Sequence, residues 1–169
     1  RYTLTGLALG THRVAVLVPA GWTMTPAPSV AVSLSAEAPE PTQNFGAFAL
    51  ASVAGTVYED GNANGVRDAG EQALAGRQVL LDANANGQVD DGEATAITDS
   101  EGRYLFSNLA PATLRLVLFA GDEHLALATP LVYAPKSGET LQRDLAAVRP
   151  SVITGQKYED FNGNGQRDE

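Results

Sequence analysis

Asp60, Asn62, Asn64, Asp68 and Glu71 place oxygen-bearing side chains at positions 1, 3, 5, 9 and 12 of the stretch DGNANGVRDAGE. This spacing fits the calcium-loop template D-x-[DN]-x-[DN]-G-x5-E. Calcium takes six to eight hard oxygens in a flexible shell, so each residue type has a physical job. Gly65 falls at position 6, where the backbone must turn sharply and a Cβ would obstruct it. Val66 would offer its carbonyl at position 7, Asp68 would bind directly or through water, and Glu71 would close the shell with two oxygens. The pattern recurs over residues 82–93 (DANANGQVDDGE), with Asp82, Asn84, Asn86, Gln88, Asp90 and Glu93 in the same places. A third copy, residues 160–169 (DFNGNGQRDE), supplies Asp160, Asn162, Asn164, Gln166 and Asp168. It lacks position 12 and would need an outside ligand.

Asn, Asp and Gly also make ordinary turns, and Asn-Gly favours a tight hairpin. A single such loop could be a solvated acidic turn, and the second could be a decorated hairpin. Two full matches and one truncated match are hard to obtain from turn composition alone, so Ca2+ is the expected cofactor.

These loops need elements to hold them. The chain has 169 residues, 44% hydrophobic but only 7% aromatic, so a core is affordable and would be aliphatic. A net charge of −9 disfavours nucleic acid and anionic membranes as partners. With no Cys there is no disulfide or thiolate chemistry, and metal loops could take the place of covalent staples. No apolar run approaches membrane-spanning length, so no membrane insertion is expected. The chain starts Arg1-Tyr2-Thr3-Leu4, neither an initiator Met nor a signal peptide, and is expected to be a processed or excised piece.

A second repeat sets the organisation. RYTLTGL from Arg1 aligns with RYLFSNL from Arg103, Arg13-Val14-Ala15-Val16 with Arg115-Leu116-Val117-Leu118, and GTVYED from Gly55 with GQKYED from Gly155. The period of about 100 residues suits a small sandwich domain better than a solenoid repeat. Residues 1–51 are then expected to be the C-terminal half of one module, 52–149 a complete module and 150–169 the start of a third. Residues 53–58, 104–106, 114–119 and 13–18 read as short strands between Gly, Pro, Asn and Asp punctuation. Asp99-Ser100-Glu101-Gly102 is a turn signal. Pro130, Pro135 and Pro150 argue against a long helix nearby. Residues 71–81 contain good helix formers, and a true EF-hand would put a helix there. The next loop begins at Asp82, which leaves no room for an exiting and an entering helix, and Gly76 interrupts the stretch. Residues 77–81 therefore read as a strand.

The combined motif, G-x-V-Y-x-D-x-N-x-N-G-x-x-D-x-G-E, then GRQVLLD, then T-D-S-E-G-R-Y-L-F-x-N-L, resembles the B-type repeats of serine–aspartate repeat surface proteins. These SdrD B-like domains are relatives of the collagen-adhesin B-type modules. The resemblance covers Val53 to about Val148 as one copy; PAGW at Pro19 and NFG at Asn44 look like the end of a preceding one. It implies an all-β fold, an immunoglobulin-like or prealbumin-like β-sandwich in tandem repeats, with EF-hand-like calcium loops and copies forming a surface stalk. Carried over by residue, Asp60, Asn62, Asn64, Asp68 and Glu71 become the first site. Asp99, in T-D-x-x-G-x-Y, is a candidate further ligand and equally a plain turn residue. The second loop is longer than the plain hairpin expected between these strands. Some collagen-adhesin-type modules carry a Lys–Asn crosslink; here only Lys136 and Lys157 are present, and Val57 stands where the next copy has Lys157, so none is expected.

No catalytic constellation is evident. His12 and His124 lie outside the loops with no matching Ser or Cys motif, and are expected to be surface or strand residues. There is no phosphate-binding Gly-rich loop and no zinc spacing. Trp22 with Tyr2 and Phe45 reads as core or inter-module packing, with a sugar-stacking patch as the alternative. The expected function is a calcium-stiffened stalk or filament segment of a secreted or cell-surface protein, not an enzyme. Its partners would be neighbouring repeats of the same protein, with head-to-tail self-association a further option. The alternatives are an adhesive module binding a host protein or glycan, and an accessory domain of a larger extracellular enzyme. A dockerin-like domain uses similar loops but follows them with helices.

Overall fold

The computed structural model describes residues 1–37, 40–127, 131–161 and 163–166. Its regular elements are all strands, and no helix occurs among the described residues. Four strands come first: β1 (Gly10–Ala15), β2 (Trp22–Thr25), β3 (Ser29–Leu34) and β4 (Gly46–Ala49). The main body follows with β5 (Ala51–Glu59), β6 (Gln78–Leu81), β7 (Ala94–Ile97), β8 (Arg103–Leu109) and β9 (Leu114–Phe119). It ends with β10 (Leu125–Ala126), β11 (Leu131–Tyr133), β12 (Thr140–Gln142) and β13 (Leu145–Val148).

The central strand is β5. Its alternation of β-branched and small residues buries every second side chain, Val53 and Val57 among them. One edge pairs antiparallel with β8. The other edge pairs in parallel with β12 over Ser52, Val53 and Ala54, then with β13 over Val57, Tyr58 and Glu59. Between those two strands the chain crosses Gly55. A Cβ there would sit 1.7 Å from the Arg143 carbonyl oxygen, so only glycine lets the crossover approach. Arg143 N–H bonds the Ala54 carbonyl at 2.8 Å, and the Asp144 carboxylate accepts the Thr56 N–H at 2.8 Å. The backbone of β5 is thus satisfied across the break.

A second sheet, in the order β11-β9-β6-β7, covers the first. Val79, Leu81, Leu116 and Leu118 from it meet Val53, Val57, Tyr104, Phe106, Leu141 and Leu145 in one core. This is a two-layer β-sandwich with a largely aliphatic interior.

The first four strands form two separate pairs, β1 with β3 and β2 with β4, both antiparallel. Later in the chain β9 pairs with β11 and β10 with β13, again antiparallel. The expected strand over 13–18 is displaced: β1 begins at Gly10 and stops at Ala15. Val16 N–H still reaches the Pro28 carbonyl at 2.8 Å, but proline has no N–H to return the bond, and the ladder ends there. Residues 155–160 (GQKYED) repeat GTVYED from the end of β5 yet form no strand. Tyr158 is 40% exposed where Tyr58 is 2% exposed.

Candidate metal centre

Loop one is a detour from β5 that returns beside that same strand through a single bridge, Tyr58 to Ala73, whereas loop two joins two paired strands. Loop one leaves β5 at Asp60, whose N–H bonds the Ala147 carbonyl of β13 at 2.8 Å. The returning chain is pinned to the same strand by Glu59 N–H to the Gln72 carbonyl and Leu74 N–H to the Val57 carbonyl, both 2.8 Å. Loop two connects β6 to β7, whose register places Leu81 opposite Ala94 on either side of residues 82–93. Strands, not helices, flank both loops, and the stretch 71–81 resolves into a turn and β6.

Within loop one the residues 60–71 fold around their own side chains. Asp60 lies 1% exposed. Its Oδ1 accepts the Asn64 N–H at 3.2 Å and its Oδ2 the Gly65 N–H at 2.6 Å. The chain takes positive φ at Ala63 (58°) and Gly65 (76°), which makes this tight return possible. Asn62 and Asn64 both turn their amide N–H groups on Asp68 Oδ2, at 2.9 and 2.8 Å. Glu71 reaches back across the loop, Oε1 accepting the Gly61 N–H and Oε2 the Asp68 N–H, both at 2.9 Å. Positions 1, 3, 5, 9 and 12 are therefore brought together as their spacing requires. Val66, at position 7, is 62% exposed and donates its N–H to Asn64 Oδ1 at 2.7 Å.

Loop two repeats the arrangement. Asp82, 2% exposed, accepts the N–H groups of Ala85 and Gly87 at 2.6 and 2.9 Å. Asn84 and Asn86 each donate to Asp90 Oδ2 at 2.6 Å. Those two bonds hold the Asp90 carboxyl below its ordinary range. Glu93 accepts from Ala83 and Asp90, and Gln88 donates its N–H to Asn86 Oδ1.

Loop three keeps the first half of this pattern. Asp160 accepts the N–H groups of Gly163, Asn164 and Gly165, and Gln166 N–H bonds Asn164 Oδ1. Asn162 and Asp168 lie outside the described residues.

The donor set suits a hard cation. At its side-chain ligand positions each complete loop offers three carboxylates and two carboxamides, joined by backbone carbonyls, with no sulfur or imidazole. A carboxylate oxygen that accepts one N–H keeps a further lone-pair site. Among the described residues no three His, Cys, Asp or Glu side chains gather into a metal-holding group by themselves, and in loop one the Asn62 and Asn64 amides bond to Asp68. The decisive test of fit is charge. Asp60 is a buried carboxylate with no Lys, Arg or His ion pair among the described residues. Its two backbone N–H bonds offset part of the cost of burying that charge, but no positive side chain balances it. A divalent cation at this loop would supply that positive charge.

Asp99 stands apart. Its Oδ1 accepts the Glu101 and Arg103 N–H groups at 2.9 and 2.8 Å, and it closes the turn between β7 and β8. The rest of its motif is structural too. Buried Thr98 donates to the Leu74 carbonyl at 2.7 Å and accepts the Arg77 N–H at 2.8 Å. Gly102 has φ +73°, and a Cβ there would lie 2.6 Å from the Val57 carbonyl oxygen.

Three features escaped sequence reasoning. His124, expected at the surface or in a strand, is 4% exposed in the turn before β10, with Nε2 3.4 Å from Glu59 Oε2. Arg149 completes that group, its Nε 3.0 Å from Glu59 Oε1. Arg115 Nε lies 3.4 Å from Asp82 Oδ2. The repeat alignment of Arg13 with Arg115 spoke only of strands. Among the aromatic candidates, Tyr2 and Phe45 form a tilted pair with centroids 6.4 Å apart, and Trp22 on β2 is 44% exposed.

The family model described as SdrD B-like domain matches residues 51–131. Residues 51–131 are similar to SdrD B-like domains. No curated protein matches the chain. Among solved structures, the chain is similar to a minor pilin of Streptococcus agalactiae at 12% identity, with a TM-score of 0.49. That match covers 77% of this chain and 63% of the pilin. A full-length major pilin of Corynebacterium diphtheriae matches at 12% identity and a TM-score of 0.44, over 58% of this chain and 32% of that one. A streptococcal ancillary pilin matches at 19% identity and a TM-score of 0.42, over 86% and 44%. The chain thus spans less than two thirds of each of these structures. The matched region begins with β5 and contains both complete loops.

Proposed function

We propose that this chain is a structural segment of an extracellular, cell-surface protein, built from successive SdrD B-like sandwiches whose loops are stapled by calcium. The observation that carries the reading is the buried, charge-unpaired Asp60 at the head of a loop whose other side chains already converge. Asp60, Asn62, Asn64, Asp68 and Glu71 would hold the ion with the Val66 carbonyl, and Asp82, Asn84, Asn86, Asp90 and Glu93 would form the second set with the Gln88 carbonyl. Bound calcium would supply positive charge to the clustered carboxylates. The chain's own residues orient the oxygens: Gly65 and Gly87 turn the backbone, and β5, β6, β7 and β13 anchor the loop ends.

Tandem organisation is supported by the pairing order. The relation of β1·β3 and β2·β4 is that of β9·β11 and β10·β13. Residues 1–51 would then be the second half of a module, and 150–169 would open another. Such segments act as spacers, with neighbouring modules as partners and no catalytic role. The pilin likenesses agree with a surface setting, and no helix among the described residues is long and apolar enough to cross a membrane.

Limited proteolysis tests the reading. Calcium at millimolar concentration is expected to protect the Asn-Gly bonds of loops one and two, and EDTA to expose them. Identical cleavage patterns with calcium and with EDTA would remove the proposal.

A further inference from the structure

The two complete loops share their hydrogen bonding but not their electrostatic surroundings. Asp60 and Asp82 are equally buried, at 1% and 2% exposure. Both loops place three acids at ligand positions. Their other charges, Arg67 in the first and Asp91 in the second, are exposed, where solvent screens them. The difference lies on the neighbouring strand. Asp82 N–H bonds the Arg115 carbonyl at 2.8 Å, so β9 sets Arg115 beside Asp82, and its Nε stands 3.4 Å from Asp82 Oδ2. The matching strand beside loop one is β13, where Asp60 N–H bonds the Ala147 carbonyl. Arg149, a little further on, goes to Glu59 instead.

The geometry points to Arg115 as a built-in competitor for the cation, which makes loop one the tight calcium site and loop two the weak one. This inference rests on the calcium reading of the loops. Arg115 Nε is buried yet makes no hydrogen bond, so it meets Asp82 through charge alone. Its side chain is 31% exposed and retains a route to solvent. The guanidinium neutralises Asp82 when the ion is away and repels a divalent ion that approaches it. Loop two therefore stays folded at low calcium and fills only at higher concentration. Arg115 is a positioning and tuning residue in this scheme, not a ligand.

Calorimetric titration of calcium into the full chain tests this, with Asp60→Asn, Asp82→Asn, Arg115→Gln and Arg115→Lys alongside. The native chain is expected to show two binding classes, the tighter lost in D60N and the weaker in D82N. R115Q should tighten the weaker class by about tenfold and leave the tighter one unchanged, while R115K keeps the native constants. A gain of affinity cannot come from a misfolded variant. Unchanged weak-class affinity in R115Q, or loss of the tighter class in D82N, overturns the inference while leaving calcium binding intact. Absence of any calcium heat in the native chain overturns the calcium reading and this inference together.

Discussion

Tyr104 shows how one residue of a turn-and-strand motif carries more than its pattern reveals. Its ring is buried against Phe106, with centroids 5.9 Å apart, and its hydroxyl donates to the Arg143 carbonyl at 2.5 Å. That bond ties β8 to the crossover over Gly55. Tyr104→Phe keeps the ring and leaves the carbonyl unsatisfied, so a loss of about 1–2 kcal/mol is expected in chemical denaturation. Burial raises the Tyr104 pKa well above the ordinary tyrosine value; nearby Asp144 adds to the rise and Arg143 opposes it. The folded value lies above the unfolded one, so the protonated phenol contributes stability below about pH 10, and this is lost as pH rises beyond that. Absorbance titration should find Tyr104 ionising only as the chain unfolds, and Y104F should lose stability less steeply at alkaline pH. An equal alkaline slope in the two proteins would contradict this. The sequence made Tyr104 legible as a strand residue and Asp99 as a turn residue. The hydroxyl's partner, 39 residues away, was not legible, because no local pattern encodes a contact made by topology.

At the scale of elements, β5 and its repeat at 155–160 carry nearly the same residues with different outcomes. GTVYED is a buried strand, whereas GQKYED is irregular. β5 is held by β8, β12 and β13, all from residues 103–148. The Asp160 loop still forms its turn bonds, since those are made within a few residues. Local chemistry thus writes the loops, and tertiary pairing writes the strands. This is why the loop turns and the β6 assignment could be read from spacing, whereas the ends of β1 and the burial of His124 could not. Loop two lies between already paired strands. Replacing residues 82–93 by Asn-Gly should preserve the β6–β7 register, Leu81 opposite Ala94, and the fold in EDTA, with stability changed by about 1 kcal/mol or less. Loss of native strand signal by circular dichroism would show that the loop itself is needed to form the hairpin.

For the whole molecule, the sandwich core runs through β5, β6, β8, β9, β12 and β13, and both complete loops sit at strand ends around it. The resemblance carried by the full motif named the family correctly, and the two-layer architecture follows from it. The electrostatic inequality of the loops came only from seeing which strand lies beside each one. The central claim is that calcium at loop one completes the charge of buried Asp60. Thermal unfolding in calcium and in EDTA, for the native chain and Asp60→Asn, tests it most directly. At calcium 100-fold above its Kd, one site adds about 2.7 kcal/mol, on the order of 10 °C in Tm for a domain of ~100 residues. The account predicts a rise of this size in the native chain and most of it lost in D60N. Equal melting temperatures for the native chain in calcium and in EDTA would contradict it.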